Sequence, residues 1–386
     1  MNPSRTPDLL RELIGFDTTS ANSNLQLMAF VSDYLQEHGV KSQLVYNEEQ
    51  SKANLYATIG PAGKAGVMLS GHTDTVPVTG QTWTKPPYTL SEEDGRYYGR
   101  GTSDMKGFIA SVLAAVPAMC KQALHTPVHL AFSYDEEIGC LGVRRLIDTL
   151  RELPLKPAVC IIGEPTSMQV VTAHKGKLAA RVTVTGKECH SGMAPLGVNA
   201  VNYAARLIVW LENLAQKKRK HGPFEDGYDI PYSTVHTGTV QGGTALNIVP
   251  KHCSFVFEIR NIAADDPHQL LSEFRDYATC LQAEMRAHSP ECAIDIEITT
   301  EYPGLSTAED EAAVAFVRSL TEETIAGNIN FGTEGGLFSQ ALGIPTVVCG
   351  PGSMDQGHKP DEFISAAQLA QCDAFMRRLI RRLSEK

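Results

Sequence analysis

The sequence predicts an α/β protein with a central, mostly parallel sheet flanked by helices, interrupted by an inserted α+β unit of ferredoxin-like order. Three observations carry this reading. The first half of the chain alternates stretches with apolar residues at three- and four-residue spacing and short continuous apolar runs, the pattern of helices laid over buried strands. From about residue 177 the pattern changes to half-exposed alternating strands separated by two long amphipathic stretches. Near Asn330 apolar-rich segments with turn chemistry resume and run to a C-terminal helix at 366–383.

Taken in order, residues 7–15 and 24–38 are predicted helices, the second with Leu25, Met28, Val31 and Leu35 on one face. The runs 55–59, 66–70, 128–134 and 158–162 are predicted buried strands. The Ala-, Val- and Leu-rich stretch 105–119 is a predicted helix that Pro117 should kink or end. In the insertion, strands are expected at 177–185, 233–240, 254–259 and 293–299, and helices at 200–214 and 267–286. This strand–helix–strand–strand–helix–strand order is that of a ferredoxin-like unit. The expected division is a discontinuous larger domain, 1–176 with 293–386, and an inserted domain, 177–292.

The bulk properties narrow the function. At roughly 150 residues per domain, 386 residues suffice for two. The hydrophobic fraction of 42% and charged fraction of 20% are those of a soluble globular protein. No continuous apolar run approaches the roughly 20 residues that span a bilayer. The N-terminus, MNPSRTPDLLRELIGF, lacks a basic-then-apolar signal, so a cytoplasmic location is expected. Nine scattered cysteines without a CxxC pair argue against a disulfide framework or a thiolate zinc site. A formal charge of −10 argues against a nucleic-acid partner. The one basic cluster, 217–220, reads as a solvated helix C-terminus complementing the helix dipole.

Acids and histidines gather where strands should end. The strand at 66–70 leads into Gly71-His72-Thr73-Asp74, with His72 and Asp74 two apart and able to face one side of an extended segment. Asp74 is then placed to hydrogen-bond the far nitrogen of His72 and fix its tautomer. Asp104 stands at the start of the next helix, in Gly99-Arg100-Gly101-Thr102-Ser103-Asp104-Met105-Lys106-Gly107; it suits either an N-cap or a bridge between two cations. Asp135-Glu136-Glu137 follows the strand at 128–134, and three adjacent acids there are costly to desolvate without a neutralising partner. Glu164 ends the strand at 158–162, and His358 sits in the Gly/Pro-rich loop Gly357-His358-Lys359-Pro360-Asp361-Glu362. Each alone has an ordinary structural explanation. Together, two imidazoles and several carboxylates suit zinc, cobalt or manganese, and their number fits two ions sharing one carboxylate at about 3.5–4 Å separation.

These segments, GHTDTVP, GRGTSDMKG, YDEEIG, GEPT and GHKPDE, occur in the order found in the zinc-dependent M20 peptidase and deacylase family, which the chain resembles over nearly its whole length. The resemblance implies two Zn2+ per chain, replaceable by Co2+ or Mn2+. It implies that His72, Asp104 and Glu164 bind one ion, and that Asp104, Glu137 and His358 bind the other. It makes Glu136 the general base and Asp74 the acid supporting His72, and it implies a cis Asp104–Met105 peptide. The insertion corresponds to a lid and dimerisation domain, implying a homodimer in which His190 reaches across to polarise the scissile carbonyl, while Asn247 and Arg260 contact substrate. Within the family, Asn330-Phe331-Gly332-Thr333-Glu334-Gly335-Gly336 and Thr18-Thr19-Ser20 resemble the acetylornithine deacetylase branch. This implies a substrate-binding role for Thr333 and Glu334, and hydrolysis of N2-acetyl-L-ornithine to ornithine and acetate in arginine biosynthesis. Arg260 would hold the substrate carboxylate and Glu334 its distal ammonium, although a solvated loop charge explains Glu334 equally.

Three other readings stay open on the sequence. A desuccinylase, aminoacylase or dipeptidase would use the same metal chemistry. A non-catalytic metal-binding protein would not need the additional carboxylate of Glu136. A dinucleotide-dependent dehydrogenase is disfavoured by the lack of GxGxxG between a strand and a helix.

Overall fold

The computed structural model describes residues 5–322 and 326–385, which fall into two compact units. Of the described residues, the first comprises 5–173, 305–322, 326–328 and 333–385; the second comprises 174–304 and 329–332.

The first unit is built on a sheet whose strands run, in spatial order, Ser42–Tyr46, Ala53–Ile59, Val128–Ser133, Val67–His72, Val159–Pro165, Thr346–Gly350, Val170–His174 and Leu305–Ser306. Val67–His72 pairs parallel with both Val128–Ser133 and Val159–Pro165, and Thr346–Gly350 continues the parallel set beside Val159–Pro165. The outer pairs are antiparallel. Every residue of these four parallel strands is buried, which is why they read as uninterrupted apolar runs. Helices Thr6–Ile14, Gly107–Lys121 and Ala366–Ser384 pack as one group, and Val143–Arg151 packs with Gly335–Leu342 as another. The chain steps from Val67–His72 to one neighbour and then to the other side for Val159–Pro165. That reversal opens a crevice at the carboxyl ends of the strands. Gly163 makes close packing there possible, because a Cβ at this position would lie 2.0 Å from the Phe108 ring of the core helix.

A separate three-stranded sheet joins Ser91–Glu93, Arg96–Tyr98 and Phe363–Ser365. The sequence reading did not anticipate it, because strands of three residues carry too little periodicity. Pro117 lies inside the helix Gly107–Lys121 and does not end it. The helical run Thr102–Lys121 is also long and apolar enough to cross a membrane by length and composition, with a mean hydropathy of 1.2, but 78% of it is buried in the core.

The second unit is a four-stranded antiparallel sheet in the order Thr234–Gly242, His252–Asn261, Gly176–Thr185, Ala293–Tyr302, with helices Ala200–His221 and Pro267–His288. This is ferredoxin-like order. Alternate residues of the two inner strands, such as Val182, Val184, Phe255 and Phe257, pack against Leu207, Leu211, Phe274 and Leu281 of the helices. The expected boundary at 292/293 needs correction: Ala293–Tyr302 pairs with Gly176–Thr185, so this strand belongs to the second unit and the chain leaves it after Gly304. All nine cysteines are free thiols.

The basic cluster forms the last turns of Ala200–His221 as expected, with one exception. Lys218 is buried and donates to Asp265, which also accepts from the Ser233 hydroxyl. Replacing Lys218 with Met leaves a buried carboxylate short of a partner and should cost about 1–3 kcal/mol. Lys217→Met and Lys220→Met, on exposed positions, should stay within about 0.5 kcal/mol of the parent. Urea midpoints of the three variants measure the difference, and equal midpoints would deny Lys218 its buried role.

Candidate active site

The four parallel strands deliver the acids and histidines to one edge. His72 is the last residue of its strand and Glu164 the penultimate residue of its neighbour. Asp135, with φ +55°, turns the chain beyond Val128–Ser133 so that Glu136 and Glu137 follow at once. His358, with φ +58°, lies in the loop between Thr346–Gly350 and Phe363–Ser365. Asp104 stands in the wide turn Thr102–Lys106 that opens the core helix, and its peptide to Met105 is cis.

Side chains from these five segments touch. His72 Nε2 lies 3.1 Å from Asp104 Oδ1 and 3.6 Å from Glu164 Oε1. His358 Nε2 lies 2.9 Å from Asp104 Oδ2 and 3.1 Å from Glu137 Oε1. Asp104 thus turns one oxygen to each histidine. Ligand atoms of His72, Asp104 and Glu137 all fall within 4.8 Å of one another, and so do those of His72, Glu136 and Glu164.

The protonation balance follows from crowding. Burial and the charge of Asp104 push Glu137 up to about 7. Glu164 is raised well above the usual carboxyl range by burial and by Asp104. Burial and the neighbouring acids Glu137 and Glu334 raise Glu136, against the pull of His72. Asp104 goes the other way: burial opposes its charge, but bonds to His358 and His72 outweigh that and hold it low. His358 rises to about 10 through its bonds to Asp104 and Glu137. This donor set fits divalent cations, since two neutral imidazoles and clustered carboxylates become mutually compatible once positive charge sits among them.

Asp74 meets His72 as expected, through two groups. Its backbone carbonyl takes the short bond from His72 Nδ1 at 2.9 Å, and its carboxylate stands 3.6 Å from the same nitrogen. That carboxylate also accepts from the amides of Glu136 (3.1 Å) and Glu137 (3.2 Å) and from the Ser20 hydroxyl (2.7 Å). It therefore positions the two adjacent glutamates. Lys52 supports the same turn by donating to Asp135 Oδ1 at 2.6 Å. Glu136 itself receives only a long contact, 3.5 Å from the Cys140 thiol. Ser20 stood in the quoted run Thr18-Thr19-Ser20 with no role assigned to it, and Lys52 and Cys140 carried no pattern that could have marked them.

Glu334 is 1% exposed, so a solvated loop charge is excluded. It precedes the helix Gly335–Leu342, and burial raises its carboxyl to about 7. The Ser133 hydroxyl opposes that rise, while Ser133 Oγ and Glu334 Oε1 have no hydrogen bond of normal geometry among the described residues. Thr333 is fully buried, its hydroxyl accepting from the Gly335 amide.

His190, Asn247 and Arg260 belong to the second unit. His190 and Asn247 sit on adjoining exposed loops, joined by the Ser191 amide donating to the Asn247 carbonyl at 3.0 Å. Arg260 is half-buried; its Nε donates to Glu258 and its Nη1 to the Tyr302 hydroxyl, while Nη2 takes part in neither bond.

Residues 68–382 match the model of peptidase family M20/M25/M40. The chain belongs to that family. It is 35% identical to acetylornithine deacetylase of Proteus mirabilis over 97% of this chain and 95% of that one. With acetylornithine deacetylase of Pasteurella multocida it shares 34% identity over 89% and 87% of the two chains. Its fold is similar to that of an M20 family metallo-carboxypeptidase from Sulfolobus solfataricus, with a TM-score of 0.79, 20% identity and coverage of 99% and 100%. As a family member the chain is an M20 metallohydrolase resembling acetylornithine deacetylases, and the family implies a dinuclear metal site.

Metal and pH should couple in a defined direction. Glu137 rises from 4.5 to about 7 and His358 from 6.5 to about 10. In both cases the folded chain holds a proton that the unfolded chain releases. Their stabilisation is full below the unfolded value and is lost as pH rises, through 4.5 to 7 for Glu137 and through 6.5 to 10 for His358. A cation binds the deprotonated ligands, so its own stabilisation grows with pH. The gap in melting temperature between zinc-loaded and chelator-treated protein should widen from pH 6 to pH 9. A gap that narrows would show that protons and cations do not compete at these residues.

Proposed function

We propose that the protein hydrolyses the amide of an N-acyl amino acid, with N2-acetyl-L-ornithine as its substrate, using two Zn2+ or, in their place, Co2+ or Mn2+. His72, Asp104 and Glu164 would hold one ion, and Asp104, Glu137 and His358 the other. Bound there, the ions supply Lewis acidity at the acyl carbonyl and lower the pKa of water to about 7.

Glu136 is the residue free to move protons. It stands among the ligands with no Lys or Arg bonded to it among the described residues, and its raised pKa suits a group that takes a proton from water and returns it to the departing amine. Asp74 fixes its backbone, so the carboxylate is aimed by the chain. Arg260, already held in plane by Glu258 and Tyr302, offers Nη2 to a substrate carboxylate. His190, with Nδ1 accepting from the Gly192 amide, has Nε2 pointed elsewhere to donate to an acyl oxygen.

The observation that carries the choice of substrate is Glu334. It is a buried carboxylate with an unbonded oxygen, costly where it stands, and a substrate ammonium would relieve that cost. The 35% identity with an acetylornithine deacetylase supports the same choice. Glu334→Gln should lower kcat/KM for acetylornithine by about 10- to 150-fold, the worth of one charge-assisted hydrogen bond. Acetylmethionine, without a distal charge, should lose little. Equal losses on both would make Glu334 a general support of the site, and a panel of N-acetyl, N-succinyl and N-formyl amino acids would show whether another acyl group is preferred.

We also infer a homodimer through the second unit, acting in the cytoplasm on arginine biosynthesis. Met193, Leu196, Leu246 and Ile248 expose apolar side chains on the loops around His190. The outer strand Thr234–Gly242 offers an open edge that a second copy could cover. Mixing inactive Glu136→Gln chains with inactive His190→Ala chains should then restore part of the activity in mixed dimers. Subunit exchange without recovery would confine His190 to its own chain.

A further inference from the structure

Asp104 and His358 come from opposite ends of the first unit's sequence, yet their side chains meet at 2.9 Å. The three-stranded sheet brings the segments together. Tyr98, shortly before Asp104, pairs with Phe363, shortly after His358. Between these strands and the two ligands lies a buried polar network. The Gly99 amide donates to the Glu362 carbonyl at 2.9 Å. Arg100 Nη1 donates to Glu362 Oε2 at 2.7 Å, and both side chains are 1% exposed. Glu362 Oε1 accepts from the amides of Ser103 (2.9 Å) and of Asp104 itself (3.1 Å).

The other arm reaches His358. Arg100 Nη2 donates to Gln81 Oε1, and Gln81 Nε2 donates to the His358 carbonyl at 2.9 Å. Trp83 completes the joint, donating from Nε1 to Gln81 Oε1 at 3.1 Å with its ring 4.9 Å from the Arg100 guanidinium. One continuous set of bonds therefore runs from the backbone of Asp104 to the backbone of His358. A pair as deeply buried as Arg100 and Glu362 is a poor source of net stability, because desolvation offsets its attraction. What it supplies is a fixed spacing.

We propose that Gln81, Arg100 and Glu362 are positioning residues for one of the two cation sites, setting the gap between Asp104 Oδ2 and His358 Nε2. This rests on the two-cation reading above. His72 and Glu164 take their places from the large sheet, so the other site does not depend on this network for its histidine.

Two variants of the full chain test it. Glu362→Gln keeps an oxygen for the Ser103 and Asp104 amides but no longer neutralises Arg100. Gln81→Ala, at a half-buried loop position, removes the link to His358 without opening the core. Metal-free protein is titrated with Co2+, read by visible absorbance and by metal analysis under chelator competition. The wild type should take up two equivalents. In Gln81→Ala, which disturbs only the His358 arm, one binding step should keep its affinity while the other weakens by about 10- to 100-fold, the usual effect of losing a residue that orients a ligand; Glu362→Gln, which also loosens the shared Asp104, should weaken that step at least as much. The melting temperature of the metal-free variants is recorded beside this. Equal weakening of both steps in Gln81→Ala, or neither step changed in either variant whatever the melting temperature, would reduce the network to a structural role and overturn the proposal. A wild type that binds fewer than two equivalents would overturn the two-cation reading along with it.

Discussion

The carboxylate of Asp104 is the point on which the site turns, because it divides its two oxygens between His72 and His358. A buried carboxylate shared in this way has no room to rotate. Its position must be set by the backbone, and the backbone there is fixed on both sides. The core helix follows immediately, and Glu362 holds the Asp104 amide from behind. Glu137 and Glu164 stand close to this one group, and their raised pKa values follow first from burial and then from its charge.

The large sheet explains why so many charges can gather in a protein interior. Parallel strands end at one edge, and a reversal in strand order leaves the crevice there uncovered by a crossing connection. His72 and Glu164 need no special local conformation, since their strands simply run out at that edge. Asp135 and His358 do need one, and both adopt positive φ. Asp135 is followed at once by Glu136 and Glu137, which enter the cluster, whereas His358 enters it itself.

Much of this was legible in the sequence, for reasons that differ by element. The buried strands were visible because both their faces are covered, which leaves long apolar runs, and the acids and histidines stood out as the polar residues that ended them. The insertion was visible through its alternation, although its last strand was assigned to the wrong side of a boundary. Periodicity cannot show which strand another pairs with. Interactions between distant segments were hidden for the same reason. Arg100 and Glu362 stood within recognised runs, but nothing in either run says that one neutralises the other. Glu334 could be read as a charge on a flexible loop until its burial was known, since glycine neighbours suit a mobile turn as well as a tightly packed helix start.

Asp74 shows how one residue can hold more than the role its position suggests. Two residues after His72, it was expected to orient the imidazole with its carboxylate. Its backbone carbonyl takes the short bond to the ring, and the carboxylate, 3.6 Å from the same nitrogen, has oxygens left for other donors. The two carboxylate oxygens then divide between successive amides, Oδ1 taking Glu136 and Oδ2 taking Glu137. Fixing two consecutive amides fixes the dihedral angles between them, so the two glutamate side chains are sent along different paths from one short turn. One goes to His358 and Asp104; the other stays beside the Cys140 thiol, near His72 and Glu164. Adjacent residues of identical chemistry can therefore hold separate tasks, and the difference between them is set by an aspartate that touches neither carboxylate.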